Sequence, residues 1–382
     1  MKKFIFFQSF LLTVFSLFAS GLIAQTTVSA SMMHGGIQRN YRLYIPASYN
    51  QANPAALVMN LHGYGSNNIE QEFYTLISRV ADTAGFLLVH PNGTLDVNNI
   101  RHWNTFGTSN VDDVGFLSAL IDTLAGNYNV DLNRVYSTGM SNGGFMSFQL
   151  ACALSHRIAA IASVTGTMVR TNLAACNPGR AVPVMQIHGT ADGTVPYAGD
   201  VFFAPVQSLL DFWVSNNSCS STPVITQLPD IDVNDGSTAE HYLYEGGQNG
   251  TVVEHFKIIG GGHSWPGAAI NLNVTNMDFS ASKEIWRFFR KYTLDGLINV
   301  GEINLPKNAV ITAWPNPSNG IVNLKFDDVH EKRITIYNAT GQVVGDFISN
   351  TIQKEVTLSH KGLYLIHVSS GKNNQIVKVI NH

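Results

Sequence analysis

The sequence of 382 residues has only three cysteines, few charged residues and one long apolar run. Charged residues make up 13% of the chain and the formal net charge is -3, so the basic surplus that a nucleic-acid-binding surface requires is absent. The low charge density favours a rigid, folded protein over a disordered scaffold, and the hydrophobic fraction of 45% supplies a large core. An odd number of cysteines permits at most one intramolecular disulfide, and the count leaves all three pairs of Cys152, Cys176 and Cys219 open.

The long apolar run lies at the N-terminus. Lys2 and Lys3 supply a positive start, residues 4–18 are mainly apolar, and Ala24 is a small residue of the kind found at signal peptidase sites. We therefore expect residues 1–24 to be a signal peptide that is removed, the alternative being a retained membrane anchor. No later apolar run is long enough to span a bilayer, so we expect no stable membrane span.

Strand and helix patterns alternate between residue 25 and about residue 300. Tyr41–Ile45 alternates as an edge strand, whereas Leu57–Leu61 and Phe86–His90 are continuous apolar runs typical of buried strands. Between them, Phe73 and Ile77 mark the inward face of a helix. This pattern predicts a doubly wound α/β sheet, whose reactive loops lie at the carboxyl ends of the strands.

Ser141 lies in a Gly-x-Ser-x-Gly segment, with Gly139 and Gly143 on either side. A strand-like stretch precedes the segment and a helix-like stretch follows it. Glycines at these positions allow a sharp turn that holds the hydroxyl at its apex, which is the geometry of a nucleophile. A single match of this kind is also compatible with an ordinary turn, so the other groups of the site decide between the two interpretations.

A serine nucleophile needs a base to take its proton and a carboxylate to orient that base. In the α/β-hydrolase arrangement the acid and then the histidine follow the serine along the chain. Asp192 follows the buried-strand run Pro183–Gly189, and His263 follows the strand Thr251–Ile259 and three glycines. We therefore predict Asp192 as the acid and His263 as the base.

The oxyanion that forms when a serine attacks a carbonyl group also needs hydrogen-bond donors. The glycine-rich loop after Leu61 follows an early strand and lies upstream of the Ser141 turn, where the oxyanion loop of this arrangement is expected. The backbone N–H groups of Tyr64 and Asn142 are therefore predicted to form the oxyanion hole. A glycine-rich turn without a ligand is the alternative.

Other titratable residues have simpler explanations. Asp112 and Asp113 open a helix, where N-capping accounts for them. The competing histidines lie in strands or at strand ends, where packing and loop support account for them: His62, His188, His241 and His255.

Five separated motifs occur in a specific order: His62-Gly63, Asp112–Phe116, Gly139–Gly144, His188–Asp192 with Val195-Pro196-Tyr197, and Gly262–Gly267. Together they resemble the polyhydroxybutyrate depolymerase/feruloyl esterase family, also grouped as carbohydrate esterase family one, over about residues 30–295. The resemblance implies a secreted serine esterase of the α/β-hydrolase fold that uses no metal or organic cofactor. Its nucleophile, acid and base would be Ser141, Asp192 and His263.

The same resemblance implies that Trp103 and Trp265 line the acyl or alcohol subsite, with core packing as the alternative. Members of this family often pair a cysteine near Cys219 with one in the stretch 244–247, where this sequence has none. The resemblance therefore implies a disulfide between Cys152 and Cys176 and a free Cys219.

The character of the chain changes after a linker that we place at residues 301–308. Residues 309–382 show short alternating strands separated by turn residues, which predicts a small all-β sandwich. Trp314–Gly320, Asn338–Gln342, Gly362–Tyr364 and a basic final strand resemble the C-terminal sorting domain of the type nine secretion system. The resemblance implies export across the outer membrane, followed by cleavage of the tail or attachment to the cell surface. A carbohydrate-binding module is the alternative.

These features predict a serine esterase acting on feruloyl or acetyl esters of plant-cell-wall polysaccharide. The alternative chemistry is depolymerisation of polyhydroxyalkanoate or another polyester. An alternative of another class is a non-catalytic binding protein on a hydrolase fold. The expected partners are the ester substrate and the type nine secretion machinery, without nucleic acid, and the expected location is extracellular or at the cell surface.

Overall fold

The computed structural model describes residues 25–297, 312–326, 329, 331–339, 342–370 and 373–382. The chain forms two compact units that divide between residues 298 and 299, and each unit has its own hydrophobic core. The predicted signal peptide, residues 1–24, and the predicted linker, residues 301–308, lie outside the described residues.

The first unit alternates strands and helices along most of its length. Its strands are β1 (Thr26–His34), β2 (Ile37–Ile45), β3 (Ala55–Leu61), β4 (Leu87–Pro91), β5 (Thr94–Leu95), β6 (Arg101–His102), β7 (Val130–Met140), β8 (Ala160–Val164), β9 (Val184–Gly189), β10 (Val224–Gln227), β11 (Thr238–Tyr244), β12 (Val253–Ile259), β13 (Tyr292–Thr293) and β14 (Gly296–Leu297). Its α-helices are α1 (Asn68–Thr75), α2 (Ile77–Ala84), α3 (Asp113–Asn127), α4 (Asn142–Ala153), α5 (Arg170–Ala175), α6 (Val206–Asn217) and α7 (Ala281–Phe289).

Ten strands form one sheet in the order β1-β2-β4-β3-β7-β8-β9-β12-β11-β10. The neighbours from β4 to β12 pair in parallel, and the pairs outside them are antiparallel. This mixed sheet with helices packed on it confirms the predicted α/β-hydrolase fold. The prediction that Tyr41–Ile45 is an edge strand is wrong, because β2 pairs with β1 on one side and β4 on the other.

The sheet separates two hydrophobic cores. Every residue of β3 is buried, and its side chains alternate between the two faces: Leu57, Met59 and Leu61 join one core, whereas Ala56 and Val58 join the other. The first core is filled by α3, α4 and α6, and the second by α2 and α7. Burial on both faces explains why β3 appears in the sequence as a continuous apolar run.

The segment between β3 and β4 differs from the single inward-facing helix that we predicted. A break at Leu76, which has a φ of 53°, divides it into α1 and α2. Ile77 is buried as expected, but the Phe73 side chain is 59% exposed. The apolar spacing therefore describes α2 correctly and α1 incorrectly.

Cys152 in α4 and Cys176 after α5 form a disulfide, with their Cα atoms 5.3 Å apart. Cys219 is a half-buried free thiol, and burial raises its pKa. This is the pairing that the family resemblance implies, and the cysteine count alone could not have selected it.

The second unit consists of two antiparallel sheets. Its strands are β15 (Thr312–Trp314), β16 (Ile321–Lys325), β17 (Lys332–Asn338), β18 (Val343–Ser349), β19 (Gln353–Thr357), β20 (Gly362–Ser370) and β21 (Asn373–Asn381). The sheet orders are β15-β16-β19 and β18-β17-β20-β21. Buried side chains from both sheets, such as Val322, Val356, Ile334 and Ile366, share one core, as the predicted β-sandwich requires.

Glu254 in β12 is a buried carboxylate whose charge is balanced by neighbouring basic groups. It accepts hydrogen bonds from His241 and Arg287, and Lys291 Nζ lies 3.5 Å from its Oε1 atom. Burial by itself raises the pKa of Glu254, but the hydrogen bonds from His241 and Arg287 outweigh it and lower that pKa to about 2. Because the folded-state pKa lies below the unfolded-state value, ionised Glu254 stabilises the fold above about pH 4.5, and this contribution is lost as the pH falls toward 2.

The Glu254→Gln variant should therefore lower the free energy of unfolding by about 3 kcal/mol at pH 7, and by less than half as much at pH 3. Urea unfolding at the two pH values measures both differences. The exposed Glu245→Gln is the matched control and should change little at either pH. An equal loss for Glu254→Gln at the two pH values would contradict the role of its charge.

Candidate active site

Ser141 lies at a sharp turn between β7 and α4. Its backbone has φ 53° and ψ -120°, a strained conformation for a residue with a side chain. The turn is possible because a Cβ atom at Gly143 would lie 2.2 Å from the carbonyl oxygen of Leu61, and one at Gly139 would lie 2.6 Å from the carbonyl carbon of Gly143. Only glycine fits at these two positions. The structure therefore contains the strand, sharp turn and helix that the motif predicts.

Asp192 and His263 come from the ends of two neighbouring parallel strands. Asp192 follows β9 and His263 follows β12, and the Nδ1 atom of His263 lies 2.8 Å from Asp192 Oδ2. The other carboxylate oxygen, Oδ1, accepts hydrogen bonds from the backbone N–H groups of Thr194 and Val195 at 2.9 and 2.8 Å. The Asp192 side chain is fully buried, whereas that of His263 is 14% exposed. The imidazole is thus oriented by a fixed acid and reaches the solvent-accessible side of the site.

A second imidazole, that of His188, also contacts the Asp192 carboxylate. His188 Nε2 lies 2.8 Å from the Val195 carbonyl oxygen and 3.3 Å from Asp192 Oδ2. Because a carbonyl can only accept, this nitrogen carries the proton, and Gln186 Nε2 donates to the other ring nitrogen. Burial by itself raises the pKa of Asp192, but the hydrogen bonds from His188 and His263 outweigh it and hold that pKa below its ordinary range. The acid therefore remains ionised at neutral pH.

Ser141 and His263 line one cavity of about 470 Å³, which we call the histidine cavity. Among the described residues, the Ser141 hydroxyl has no hydrogen-bond partner. The structure thus brings the serine and the histidine to the same cavity without bonding them to each other. Catalytic hydrogen bonds are often long in free enzymes and shorten when substrate binds.

The predicted oxyanion loop lies against the serine. A Cβ atom at Gly63 would lie 3.6 Å from Ser141 Cβ. Within the part of the chain that the structure describes, the backbone N–H groups of Tyr64 and Asn142 donate to no other protein group. The buried side chain of Asn142 bonds the backbone N–H and carbonyl of Trp103 at 2.6 and 3.1 Å. This side chain anchors the first turn of α4, where one predicted donor lies.

His62 supports the oxyanion loop. Its Nδ1 atom donates to the Gly63 carbonyl at 2.7 Å, and its Nε2 atom accepts from the Gly93 N–H at 3.0 Å. Burial lowers the pKa of His62 to about 4, so the ring is neutral at pH 7. This is the loop-supporting role that its sequence position suggests.

A second cavity, of about 660 Å³, lies beside Ser141 and shares Ser141 and Tyr64 with the histidine cavity. We call it the aromatic cavity, because Phe106, Phe145 and Phe203 meet in its wall with ring centroids 5.1–6.0 Å apart. Ser141 therefore stands between two cavities of different composition.

The two tryptophans that the family resemblance places in a substrate subsite are fully buried, and neither lines these cavities. Trp103 Nε1 donates to the His62 carbonyl at 3.0 Å. Trp265 Nε1 donates to Ser282 Oγ at 3.1 Å. The geometry corrects the subsite interpretation: both rings support the walls of the site through core packing, which was the alternative.

Residues 107–223 match the phospholipase/carboxylesterase family model, and residues 312–382 match the secretion system C-terminal sorting domain. The chain is 30% identical over 232 residues to the probable feruloyl esterase C of Aspergillus niger, covering 56% of this chain and 78% of that protein. The chain belongs to the feruloyl esterase family.

This feruloyl esterase family member is also 28% identical over 274 residues to the bifunctional acetylxylan esterase/xylanase XynS20E of Neocallimastix patriciarum. That match covers 72% of this chain but only 36% of the longer relative. An acetyl xylan esterase structure from Aspergillus awamori shares the fold, with a TM-score of 0.50, 13% identity, and coverage of 69% of this chain and 99% of that chain.

The comparisons confirm the predicted class of enzyme, a carboxylic ester hydrolase. They also confirm the sorting domain, which directs export to the cell surface or the extracellular space. In the described ranges, we find no helix that is both long and apolar enough to cross a bilayer.

Two features of this site were not recognised in the sequence. The contact of His188 with Asp192 depends on the fold of the loop between them, although its position four residues before the acid is a usable signal. The cluster of Phe106, Phe145 and Phe203 unites three separate segments, and only Phe145, directly after the glycines of the elbow, could have been suspected.

Replacing His188 tests whether it positions the acid. We expect His188→Leu to lower kcat about 100-fold, because Asp192 would lose a donor and its imidazole partner would be misplaced. His188→Gln should retain more activity, because its amide can still donate. Steady-state kinetics on a chromogenic ester, together with thermal unfolding, measure the two effects.

The control is His255→Leu, since His255 is a buried imidazole bonded to Tyr197 and Gln186 rather than to Asp192. Equal losses of kcat for His188→Leu and His255→Leu would show that damage to the core, and not the positioning of Asp192, limits activity.

Proposed function

We propose that the first unit hydrolyses carboxylic esters through an acyl-enzyme intermediate, with Ser141 as nucleophile, His263 as base and Asp192 as orienting acid. The observation that carries the proposal is the hydrogen bond from His263 to a buried, ionised Asp192, with Ser141 and His263 on the wall of one cavity. A solvent-facing imidazole with a fixed acid behind it is the arrangement that activates a serine hydroxyl.

In the first step, Ser141 Oγ attacks the carbonyl carbon of the ester while His263 Nε2 takes the hydroxyl proton. The charge on the carbonyl oxygen is stabilised by the backbone N–H groups of Tyr64 and Asn142. The tetrahedral intermediate then breaks the bond to the alcohol oxygen, which receives the proton from His263. In the second half of the reaction, water attacks the acyl carbon while His263 takes its proton. The bond to Ser141 Oγ then breaks, His263 returns the proton to Ser141, and the carboxylic acid product is released. Asp192 stabilises the imidazolium in both halves.

As the natural substrate we propose feruloyl or acetyl esters of plant-cell-wall polysaccharide. The names of the relatives, feruloyl esterase and acetylxylan esterase/xylanase, support this class. The aromatic cavity also has the size and lining to receive a large acyl group. A polyester is the second candidate, because Leu95 and Val97 at the aromatic cavity are highly exposed apolar side chains that could contact an insoluble polymer.

We also propose that residues 25–300 are the catalytic unit and residues 309–382 the part that engages the type nine secretion machinery, with residues 1–24 removed as a signal peptide and residues 301–308 as linker. The separate hydrophobic cores and the sorting-domain match to residues 312–382 support this division. Deleting residues 309–382 should leave kcat/KM of the purified enzyme within about twofold while stopping export. Loss of ester hydrolysis by the correctly folded first unit would contradict it.

The Ser141→Ala variant should lose about a millionfold in kcat on a short-chain chromogenic ester, as in measured triad deletions. Release of product is followed by absorbance, and circular dichroism checks that the variant folds. A variant that keeps more than a small fraction of the activity would exclude Ser141 as the nucleophile.

A panel of methyl ferulate, acetylated xylan and polyhydroxybutyrate film distinguishes the proposed substrates, with Ser141→Ala as the control in each assay. We expect serine-dependent release from the first two. Release from the film alone would replace the polysaccharide proposal with the polyester one.

A further inference from the structure

We infer that the alcohol part of the ester occupies the histidine cavity, where Phe73, Ile270 and Leu272 form an apolar shelf that contacts a C–H-rich face of that alcohol. This inference rests on the proposed function and names the side of the site, and the residues, that select the leaving group.

The position of His263 assigns the two sides. His263 lines the histidine cavity and is not among the residues that line the aromatic cavity, whereas Ser141 lines both. The alcohol oxygen must receive its proton from His263 when the tetrahedral intermediate breaks down. The alcohol therefore leaves on the side of His263, and the acyl group lies across Ser141 in the aromatic cavity.

Helix α1 exposes Phe73 at this cavity instead of burying it in the core. The buried residues of the helix are Asn68, Gln71, Tyr74 and Thr75, while Phe73 is 59% exposed and lines the cavity. Gln71 Nε2 donates to the side chain of Asn60 in β3, which donates in turn to Thr75 Oγ1. A surface helix normally buries its large apolar residues, whereas in α1 the inward positions of Gln71 and Thr75 are held by polar bonds and Phe73 stays exposed.

The rest of the shelf comes from the loop before α7. Ile270 and Leu272 line the same cavity and are 48% and 46% exposed. The Ala269 N–H donates to the Tyr74 carbonyl at 3.2 Å, and the Trp265 N–H donates to the Tyr74 hydroxyl at 3.0 Å. Because these bonds join the loop to α1, the three apolar side chains form a supported surface at the mouth of the cavity.

An exposed apolar surface beside a reacting serine binds a ligand with an apolar face. Two alcohols carry such a face, the sugar ring of an esterified polysaccharide and the carbon chain of a hydroxyalkanoate polyester. Ser66 and Glu70, hydrogen-bonded to each other at 2.7 Å, lie in the same cavity and offer polar contacts to hydroxyl groups.

The shelf predicts that Phe73→Ala discriminates between esters that differ only in the alcohol. Ethyl acetate and cyclohexylmethyl acetate share the acyl group, and both release primary alcohols. We expect the variant to lower kcat/KM for the cyclohexylmethyl ester about tenfold, as a lost hydrophobic contact does, and to leave ethyl acetate within about twofold. Phe202→Ala is the matched control, since Phe202 is another exposed phenylalanine and lies outside the shelf. It should not change the ratio of kcat/KM for the two esters.

Deacylation supplies a second readout that a general loss of structure would not reproduce. Both esters give the same acetyl-enzyme after the alcohol has left. Because the shelf contacts only the alcohol, the acetyl-enzyme should be hydrolysed at the same rate in the parent enzyme and in Phe73→Ala. Acetylated xylo-oligosaccharides and hydroxybutyrate oligomers are then compared as substrates. The one on which Phe73→Ala loses more activity identifies the source of the alcohol.

Equal losses on both acetates, or no loss on any of the four substrates, would overturn the shelf while leaving the proposed catalysis intact. Ester hydrolysis that persists in Ser141→Ala would instead overturn the proposed function, and the shelf with it.

Discussion

The candidate active site depends on a close contact between the start of α4 and the end of β3. A side chain at Gly143 would collide with the carbonyl oxygen of Leu61, and its absence lets the chain turn tightly at Ser141. Because Leu61 leads directly into the loop of Gly63 and Tyr64, the contact that shapes the elbow also brings the predicted oxyanion loop beside Ser141. The strained backbone of Ser141 is held by hydrogen bonds at both of its peptide groups, to Val164 and from Phe145.

Behind this elbow, the carboxylate of Asp192 is contacted by four donor groups: two backbone N–H groups and the imidazoles of His263 and His188. A buried charge with this many donors is both ionised and fixed in orientation. In the proposed mechanism, this fixed carboxylate stabilises the imidazolium that His263 forms, without having to move during the reaction. Ser141 lines two cavities in front of the elbow, and in the proposed mechanism each cavity receives one half of the ester.

Local features of the sequence were sufficient to predict the central strands, the glycine elbow and the strand ends that carry Asp192 and His263, because each depends on neighbouring residues. Side-chain roles that depend on distant segments were less accessible. Trp265 lies only two residues after His263 in the sequence, yet it is fully buried, as is Trp103. Phe73 follows an apolar spacing, yet the hydrogen bonds of Gln71 and Thr75 turn it outward.

Short-range patterns thus established the fold class, the β-sandwich tail and the identity of the candidate catalytic residues, since periodicity and turn chemistry act over a few positions. Tertiary structure alone decided which cysteines bond, that β1 covers the edge of the sheet beside β2, and that His188 joins His263 on one carboxylate. It also decided which cavity contains the histidine. These outcomes depend on the packing of segments far apart in the chain, and no local pattern specifies such contacts.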